Sequence, residues 1–367
     1  MTDTHPSASS TSYERGSSRR GEIDLTSAMT EQPLVSICIT SHNYARFLPA
    51  ALESALGQSY PNVEIVVVDD GSIDGSHELL ERYADSLRLE LQPIRGQAAA
   101  CNRCYELSRG DIVLFHDSDD VLEGDAAERI VAAFEDPRVV LVLGRLRDID
   151  ERGEPLPGVR PPEGCTMTQG DLRRMVAKHA TFTWPETTGQ SFRRTVLDKV
   201  MPIPDGFAPD LYLSNLVALD GYVATIERPV GRYRVHGGNK HMVPGRAGVD
   251  WLDMKLRERR LIDREVHEKA SDLGLTQSSG SSDKADPSGE PHDYIRAGLE
   301  LARRRVTGER GGTAWALEGI RAIVSHPQFR VRARARHVAW FAAAAAAPPR
   351  LARRVVEARY PFVKAPA

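Results

Sequence analysis

The chain has 367 residues, of which 41% are hydrophobic, so it is long enough for one large α/β domain and an accessory region. Its formal net charge of −3 gives no sign of a nucleic acid partner, and four cysteines in so long a chain do not make a disulfide framework. No apolar run approaches the roughly 20 residues that a membrane-spanning helix needs. We therefore expect a cytoplasmic protein that does not cross a membrane.

Residues 1–32 are rich in Ser, Thr, Arg and acidic residues and show no apolar periodicity. Such a segment cannot bury enough apolar surface to offset the entropy lost on ordering, so a disordered tail is predicted.

From residue 33 onward, apolar runs alternate with helical patterns. Strands are predicted at residues 34–39, 63–68, 87–91, 112–115 and 139–143, and helices at 48–56, 74–83, 97–107 and 125–134. The run at 63–68 is almost continuously apolar, as expected of a strand that is covered on both faces. This alternation predicts an α/β fold with a doubly wound sheet.

Three polar clusters directly follow three of the predicted strands. They are THSN at residues 40–43, DDGS at 69–72 and DSDD at 117–120. Ligands of such sheets bind beyond the carboxyl ends of the strands, so the three clusters should meet at one edge. The sequence therefore predicts a single binding site there, to which the first cluster contributes Thr40 and Asn43.

The acidic motif DSDD has the chemistry of a cation site. Of Asp117 and Asp119, one can contact ribose hydroxyls and the other can bind Mg²⁺ or Mn²⁺. These cations bind oxygen ligands and keep positions open for substrate phosphates. A solvated turn or a helix cap is the alternative. Asp69 and Asp70 can likewise accept hydrogen bonds from a base or ribose, or merely cap the following helix.

The segment YRVHGGN at residues 233–239 ends a possible strand in a glycine-containing loop. His236 can act as a metal ligand and Arg234 as a diphosphate contact, although an ordinary surface loop is equally compatible with these residues. Residues 144–245 are otherwise less regular, with helices predicted near 170–178 and 210–219. We expect this stretch to cover the same edge and to contact an acceptor.

Taken together, the ordered motifs PLVSICITSHN, QSYPNVEIVVVDDGS and DSDD resemble the family 2 glycosyltransferases. The resemblance runs from about residue 33 to 239. It implies the GT-A fold, a doubly wound mixed sheet, and a donor that carries a sugar on UDP, dTDP or GDP. The acceptor would be a glycan, a lipid-linked sugar or a small molecule.

The resemblance also implies roles for individual residues. Thr40 and Asp70 would contact the base, Asp117 the ribose and Asp119 the metal, with His236 completing the metal and diphosphate site. Two further residues, Gly96 and Asn102, match positions that border the donor pocket.

The general base is implied by the same resemblance. Family members that invert the anomeric centre use an acidic residue near the start of a later helix, often in a Glu-Asp pair. Here the pair is Pro209-Asp210, so the role falls to Asp210 without its usual acidic neighbour.

The C-terminal part lies outside the resemblance. Residues 250–273 show a charged helical pattern, residues 276–292 form a Ser, Gly, Asp and Pro-rich linker, and the segment from 294 is helical and rich in Ala and Arg. Between residues 330 and 364 there are nine Arg or Lys residues and one acidic residue. This segment suits contact with anionic lipid headgroups, or it packs on the catalytic domain.

The predicted organisation is a tail at 1–32, a GT-A domain at 33–245, a helical extension at 246–275, a linker at 276–292 and a basic helical region at 293–367. A metal-assisted inverting glycosyltransferase is the leading hypothesis. A catalytically inactive nucleotide-sugar-binding protein is the first alternative. A nucleotidyltransferase is disfavoured, because THSN stands where a glycine-rich phosphate loop would follow the first strand.

Overall fold

A computed structural model describes residues 32–162, 167–182, 185–239, 249–275 and 293–359. The predicted tail, apart from its last residue, and the predicted linker at 276–292 lie outside the described residues, as does Cys165. The boundaries of the predicted domains stay predictions.

The described residues contain ten strands. They are β1 (Val35–Ser41), β2 (Val63–Asp70), β3 (Arg88–Gln92), β4 (Ile112–Asp117), β5 (Val121–Leu122), β6 (Val139–Ile149), β7 (Pro155–Arg160), β8 (Gly170–Asp171), β9 (Gln190–Arg193) and β10 (Tyr222–Arg234).

Twelve α-helices lie in the same described ranges. They are α1 (Leu48–Leu56), α2 (Ser76–Glu81), α3 (Gln97–Leu107), α4 (Ala126–Ala133), α5 (Arg173–His179), α6 (Arg194–Leu197), α7 (Pro209–Val217), α8 (Val249–Asp272), α9 (Tyr294–Thr307), α10 (Gly312–Ser325), α11 (Val331–Ala346) and α12 (Pro349–Arg359).

All ten strands belong to one mixed sheet, as predicted. Its order is β3-β2-β1-β4-β9-β6-β10-β5, with β7 paired to β6 and β8 paired to β10. The pairs β1 with β2, β1 with β4 and β2 with β3 are parallel, whereas β9 runs antiparallel to both β4 and β6. The stretch 144–245, which looked irregular in sequence, thus supplies β7 to β10, of which the sequence indicated only the end of β10.

Helices cover both faces of the sheet because its central strands are apolar on both sides. Along β1, Val35, Ile37 and Ile39 pack into the cluster formed with α1, α2 and α4, whereas Cys38 packs into the cluster formed with α3, α5, α7 and α8. Cys101 and Cys104 on α3 are buried free thiols of the second of these clusters.

The C-terminal helices attach through α8. Its residues Ile262, Val266 and Ala270 belong to the sheet-covering core, while Leu252 and Leu256 pack against α9. Helices α9, α10 and α11 also form a small hydrophobic core of their own around the fully buried Phe341. Within the described ranges, none of the helices combines the length and apolar character needed to span a membrane.

Candidate active site

The carboxyl ends of three neighbouring parallel strands meet at one edge of the sheet. Thr40 at the end of β1 pairs in register with Val68 of β2 and with Asp117 of β4, and Ser41 pairs with Asp69. The prediction that the three polar clusters lie together is confirmed. One edge therefore carries the candidate site, and the loops beyond it shape its walls.

Asp69 builds the turn that leaves β2. Its fully buried carboxylate accepts hydrogen bonds from the Ser72 amide at 2.8 Å, the Ser72 hydroxyl at 2.6 Å and the His77 ring at 2.8 Å. These contacts make Asp69 a residue that fixes the loop, and its predicted contact with the donor gains no support from them.

Asp70 joins two loops at the site edge. Its carboxylate accepts hydrogen bonds from the Gln92 side chain at 2.7 Å and from the backbone amides of Arg95 and Gly96, each at 2.8 Å. Gly96 has φ of 94°, a conformation that favours glycine, and it faces open space where a Cβ would stand. Asp70 and Gly96, both predicted to contact the donor, therefore form one hydrogen-bonded unit.

Asn43 and Asn102 each connect separate parts of the chain. Asn43 adopts φ of 58°, and its side-chain oxygen accepts a hydrogen bond from the Ile73 amide at 2.8 Å. Asn102 on α3 exchanges two hydrogen bonds of 2.8 Å with the backbone of Ile203, which lies in the loop before α7. Both residues hold loops at the site, and their predicted donor contacts stay predictions.

The acidic motif at the end of β4 is built around Asp120. This buried carboxylate accepts hydrogen bonds from the Thr188 hydroxyl at 2.7 Å and the Arg234 amide at 2.9 Å. Burial raises its pKa well above the usual range, and the charges of Asp119 and Asp117 raise it further. The Thr188 hydroxyl also accepts a hydrogen bond from the Asp117 amide at 3.1 Å, so Thr188 fixes both ends of the motif.

Asp119 and His236 come together across the site although they are far apart in sequence. The His236 Nε2 lies 2.9 Å from Asp119 Oδ2, and both side chains are largely buried. His236 is oriented by its neighbours. The Gly238 amide donates to Nδ1 at 3.1 Å, and the imidazole packs against the Phe47 ring at an interplanar angle of 45°, with 4.6 Å between ring centroids. The predicted pairing of these two residues is therefore present.

This pair offers two atoms of the kind that bind a divalent cation. In the described arrangement Nδ1 accepts from the Gly238 amide, so Nε2 carries the proton, and cation binding would require that proton to leave Nε2. An imidazole nitrogen and a carboxylate oxygen are both accepted ligands of Mn²⁺ and Mg²⁺, which take few protein ligands when substrate phosphates complete the shell. Among the described residues, no group of three His, Cys, Asp or Glu side chains is arranged to hold a metal. A cation here would consequently depend on ligands from the donor or from water.

Arg234 contacts the backbone of the acidic motif. Its buried guanidinium donates to the carbonyl oxygens of Asp119 at 2.8 Å and Asp150 at 3.2 Å, and it lies 5.0 Å from the centre of the Phe47 ring. These contacts support a role in holding Asp119 in place. They lend no support to the predicted contact between Arg234 and a diphosphate.

Tyr44 lies in the negative electrostatic field of the site, and it was not predicted from the sequence as a site residue. Burial raises the pKa of its hydroxyl, and the charges of Asp119, Asp117 and Asp120 raise it further, in that order. Three carboxylates thus act on one phenol beside the His236 loop, where Tyr44 Oη donates to the Gly238 carbonyl at 3.5 Å. Such a field favours a cation and opposes an unaccompanied diphosphate.

Asp210 lies in the first turn of α7, directly after Pro209 at the start of the helix. The preceding residue, Ala208, donates its amide to Glu258 of α8 at 2.9 Å, which fixes the beginning of the helix. Asp210 is half-buried.

His116, which precedes the acidic motif in β4, leads to a prediction about stability. Burial lowers its pKa from the usual 6.5 to about 4, an effect that the charge of Asp119 partly opposes. The unfolded chain takes up a proton near pH 6.5 and the folded chain only near pH 4, so stability falls as the pH drops through this window. Between pH 7 and pH 5 the loss due to His116 should be about 2 kcal/mol.

Urea unfolding at pH 7 and pH 5 measures this loss. His116→Gln should show a smaller decrease in unfolding free energy than the unchanged chain, and His267→Gln on α8 serves as the matched control. An identical decrease in all three proteins would contradict the prediction.

Comparison with known proteins indicates the class of domain to which this sheet and its site edge belong. Residues 36–200 match the family described as glycosyl transferase family 2. An uncharacterized glycosyltransferase of Nostoc sp. is 32% identical over 216 residues, covering 57% of this chain and 66% of the relative. Chondroitin synthase of Escherichia coli is 34% identical over 139 residues, covering 37% of this chain and 20% of the relative.

Solved structures agree on the fold. TarS 1–349 of S. aureus, in complex with UDP-GlcNAc, is 16% identical with a TM-score of 0.54, and the match covers 89% of this chain and 91% of TarS 1–349. The GT-A fold expected from the sequence is thereby confirmed. The chain spans less than two thirds of the length of the curated relatives named above.

Proposed function

We propose that this chain transfers a sugar from a nucleotide-diphosphate donor to an acceptor hydroxyl, with inversion at the anomeric carbon and with the assistance of Mn²⁺ or Mg²⁺. The observation that carries the proposal is the pairing of Asp119 with His236 beside the strand ends that bear Thr40, Asp70 and Asp117. On this proposal, a cation site and a set of polar contacts for a nucleoside share one edge.

Asp119 and His236 would hold the cation, and a bound cation would neutralise charge that builds on the departing diphosphate. The chain's own contribution is to keep these two ligands in place. Arg234 donates to the backbone carbonyl of Asp119, and the hydrogen bond between Thr188 and Asp120 fixes the acidic motif. The Asn239 side-chain oxygen accepts a hydrogen bond from the His236 amide at 2.6 Å. Because the two side chains already lie 2.9 Å apart, only a small rearrangement would be needed when the cation and donor bind.

Asp210 is proposed as the general base. Its carboxylate would remove the proton of the acceptor hydroxyl while that oxygen forms a bond to the anomeric carbon. The bond between this carbon and the phosphate oxygen breaks in the same step, and the nucleoside diphosphate leaves with the electron pair. Attack opposite the leaving group inverts the configuration, and no covalent sugar–enzyme intermediate is needed.

The donor is proposed to be a UDP-sugar, with dTDP- and GDP-sugars as alternatives. Support comes from the fold shared with TarS, which was solved with UDP-GlcNAc. The acceptor is proposed to be a glycan, a lipid-linked sugar or a small molecule, and the relative named chondroitin synthase supports the glycan.

A panel of nucleotide sugars tests the proposal. Thermal unfolding should shift upward with one donor class in the presence of Mn²⁺ and much less in the presence of EDTA, because binding to the folded state stabilises it. Release of nucleoside diphosphate from the same donor then separates an enzyme from an inactive binding protein. Binding without any release, even with a panel of acceptors, would favour the inactive alternative.

We also propose peripheral contact between the C-terminal helices and an anionic membrane. Around the start of α11, Arg332 and Arg336 are exposed beside Val331, whose exposed fraction is 80%, and Leu351 on α12 is 51% exposed. Phe341 of α11 is fully buried and does not contribute to this surface. Basic and aliphatic side chains would therefore make the contact.

Vesicle sedimentation tests this contact. Each basic side chain near an anionic surface contributes about 1 kcal/mol, so Arg332→Gln with Arg336→Gln should weaken binding to phosphatidylglycerol-containing vesicles at least about tenfold. Arg82→Gln with Arg152→Gln removes the same charge from exposed positions of the catalytic domain and should have little effect. Equal binding by both double variants would contradict the proposal.

A further inference from the structure

The loop that carries His236 is a β-turn of four residues, which ends at Asn239. The Asn239 amide closes the turn by donating to the His236 carbonyl at 3.2 Å. The Asn239 side chain also fixes the turn, because its oxygen accepts from the His236 amide at 2.6 Å and its amide group donates to the Arg234 carbonyl at 3.0 Å. Both ends of the turn are therefore anchored, and its two central residues are Gly237 and Gly238.

The turn has the type I form. Neither Gly237 nor Gly238 has φ in the left-handed region. Type I turns have negative φ at both central residues, whereas type II turns require a positive φ at the second of them. The two types differ mainly by a half-turn rotation of the peptide bond between the central residues. Because the second central residue here is a glycine, the chain can adopt either type.

The orientation of this central peptide bond decides which nitrogen of His236 carries the proton. In the structure the Gly238 amide donates to Nδ1 at 3.1 Å, so Nε2 carries the proton and donates to Asp119 Oδ2 at 2.9 Å. Both ring nitrogens thus have partners within the chain. An imidazole binds a cation only through an unprotonated nitrogen, so Nε2 cannot bind one in this state.

We infer that this turn is a two-state element, in which rotation of the peptide bond between Gly237 and Gly238 makes His236 able to bind a cation. The inference rests on the proposed function. In the type II form the Gly238 amide points away from the imidazole, and the Gly237 carbonyl faces it and accepts a hydrogen bond from Nδ1. The ring loses the proton on Nε2 and gains one on Nδ1, so its charge is unchanged. Nε2 then presents its lone pair beside Asp119.

The state of the turn and the cation depend on each other. Without a cation, an unprotonated Nε2 would face the Asp119 carboxylate, and the two lone pairs would repel each other, so the type I form is favoured. A cation attracts both groups and therefore shifts the turn to type II. By the same coupling, a turn that cannot adopt type II binds the cation more weakly. The hydrogen bond from Tyr44 Oη to the Gly238 carbonyl, at 3.5 Å, involves the next peptide bond and does not oppose the rotation.

The position of the proton on His236 tests the inference directly. Nitrogen NMR of the full chain with isotopically labelled histidine reports it, and His236→Gln identifies the signals. Without cation, Nε2 should be protonated, as in the structure. With Mg²⁺ and whichever of UDP, GDP and dTDP binds, Nδ1 should be protonated and Nε2 should not. A proton that stays on Nε2 while calorimetry shows Mg²⁺-dependent nucleotide binding would overturn the inference.

Two substitutions of Gly238 test the requirement for a positive φ. Ala and Asn add the same Cβ, 3.1 Å from Nδ1, so both crowd the imidazole equally, but Asn adopts a positive φ more readily. Gly238→Ala should weaken Mg²⁺-dependent nucleotide affinity about fivefold to thirtyfold, and the loss in Gly238→Asn should be at least about threefold smaller. Gly124→Ala is the matched control, because Gly124 has no left-handed φ and its Cβ would meet only the Gly57 carbonyl, at 3.9 Å.

The outcomes separate this inference from the proposed function. Equal losses in Gly238→Ala and Gly238→Asn would overturn the inference, because crowding of the imidazole would then explain both. An equal loss in Gly124→Ala would overturn it as well. If neither Gly238 variant folds, the position of the proton in the unchanged chain still decides. Absence of any Mg²⁺-dependent nucleotide binding by the unchanged chain would instead contradict the proposed function.

Discussion

Replacing Asp119 with Asn is expected to lower metal-dependent turnover of the donor about a thousandfold. The substitution keeps the size of the side chain and a contact to His236, 2.9 Å away, but it removes the negative charge that would hold the cation. A preorganised electrostatic group at a leaving phosphate commonly accounts for effects of this size. The measurement is release of nucleoside diphosphate from the donor across a range of Mn²⁺ concentrations.

Asp125→Asn is the matched control for this experiment. Asp125 belongs to the same segment of the chain, but its carboxylate pairs with Arg129 and Arg228, and it lies at the start of α4. Its replacement should leave turnover and metal dependence nearly unchanged. Normal metal-dependent turnover by Asp119→Asn, with donor bound, would show that the cation is held elsewhere.

Replacing Asp210 with Asn should reduce transfer to the acceptor by about a hundredfold to ten-thousandfold, the range expected on losing a general base. The carboxamide cannot accept the acceptor's proton at neutral pH. Because Asp210 lies on α7 and not among the strand ends that bear Thr40, Asp70 and Asp117, donor affinity should be almost unaffected. Initial rates of transfer and donor affinity measured by calorimetry together test the assignment.

Asp205→Asn provides the comparison for Asp210. Asp205 is an exposed carboxylate in the loop that leads to the same helix, and its loss should change neither rate nor affinity. Transfer by Asp210→Asn at the rate of the unchanged chain would exclude Asp210 as the base. A parallel loss of donor affinity would instead indicate that the residue shapes the pocket.

Much of the catalytic core could be predicted because its signals are local. Helix α3 begins and ends at the predicted residues, and the apolar run at 63–68 does form a strand covered on both faces. The meeting of the three polar clusters followed from one topological rule, which holds whenever β1, β2 and β4 are parallel neighbours.

The rest depends on contacts between distant parts of the chain. Strand β9 has only four residues, and what makes it a strand is its place between β4 and β6. Thr188 donates a hydrogen bond to Asp120, which lies 68 positions away in sequence, and Arg234 donates one to Asp119, which lies 115 positions away. Neither periodicity nor spacing in the sequence indicates such pairs, so Thr188 was missed and the contact of Arg234 with the Asp119 carbonyl was not predicted.

The most direct test of the central claim is calorimetric titration of UDP, GDP and dTDP into the protein with Mn²⁺ and with EDTA. The proposed site predicts that one of them binds at least about tenfold more tightly with Mn²⁺, and that Asp119→Asn abolishes this difference, because the effect of metal on nucleotide and of nucleotide on metal must be equal. Binding of none of the three, or equal affinity with and without metal in the unchanged chain, would contradict the account.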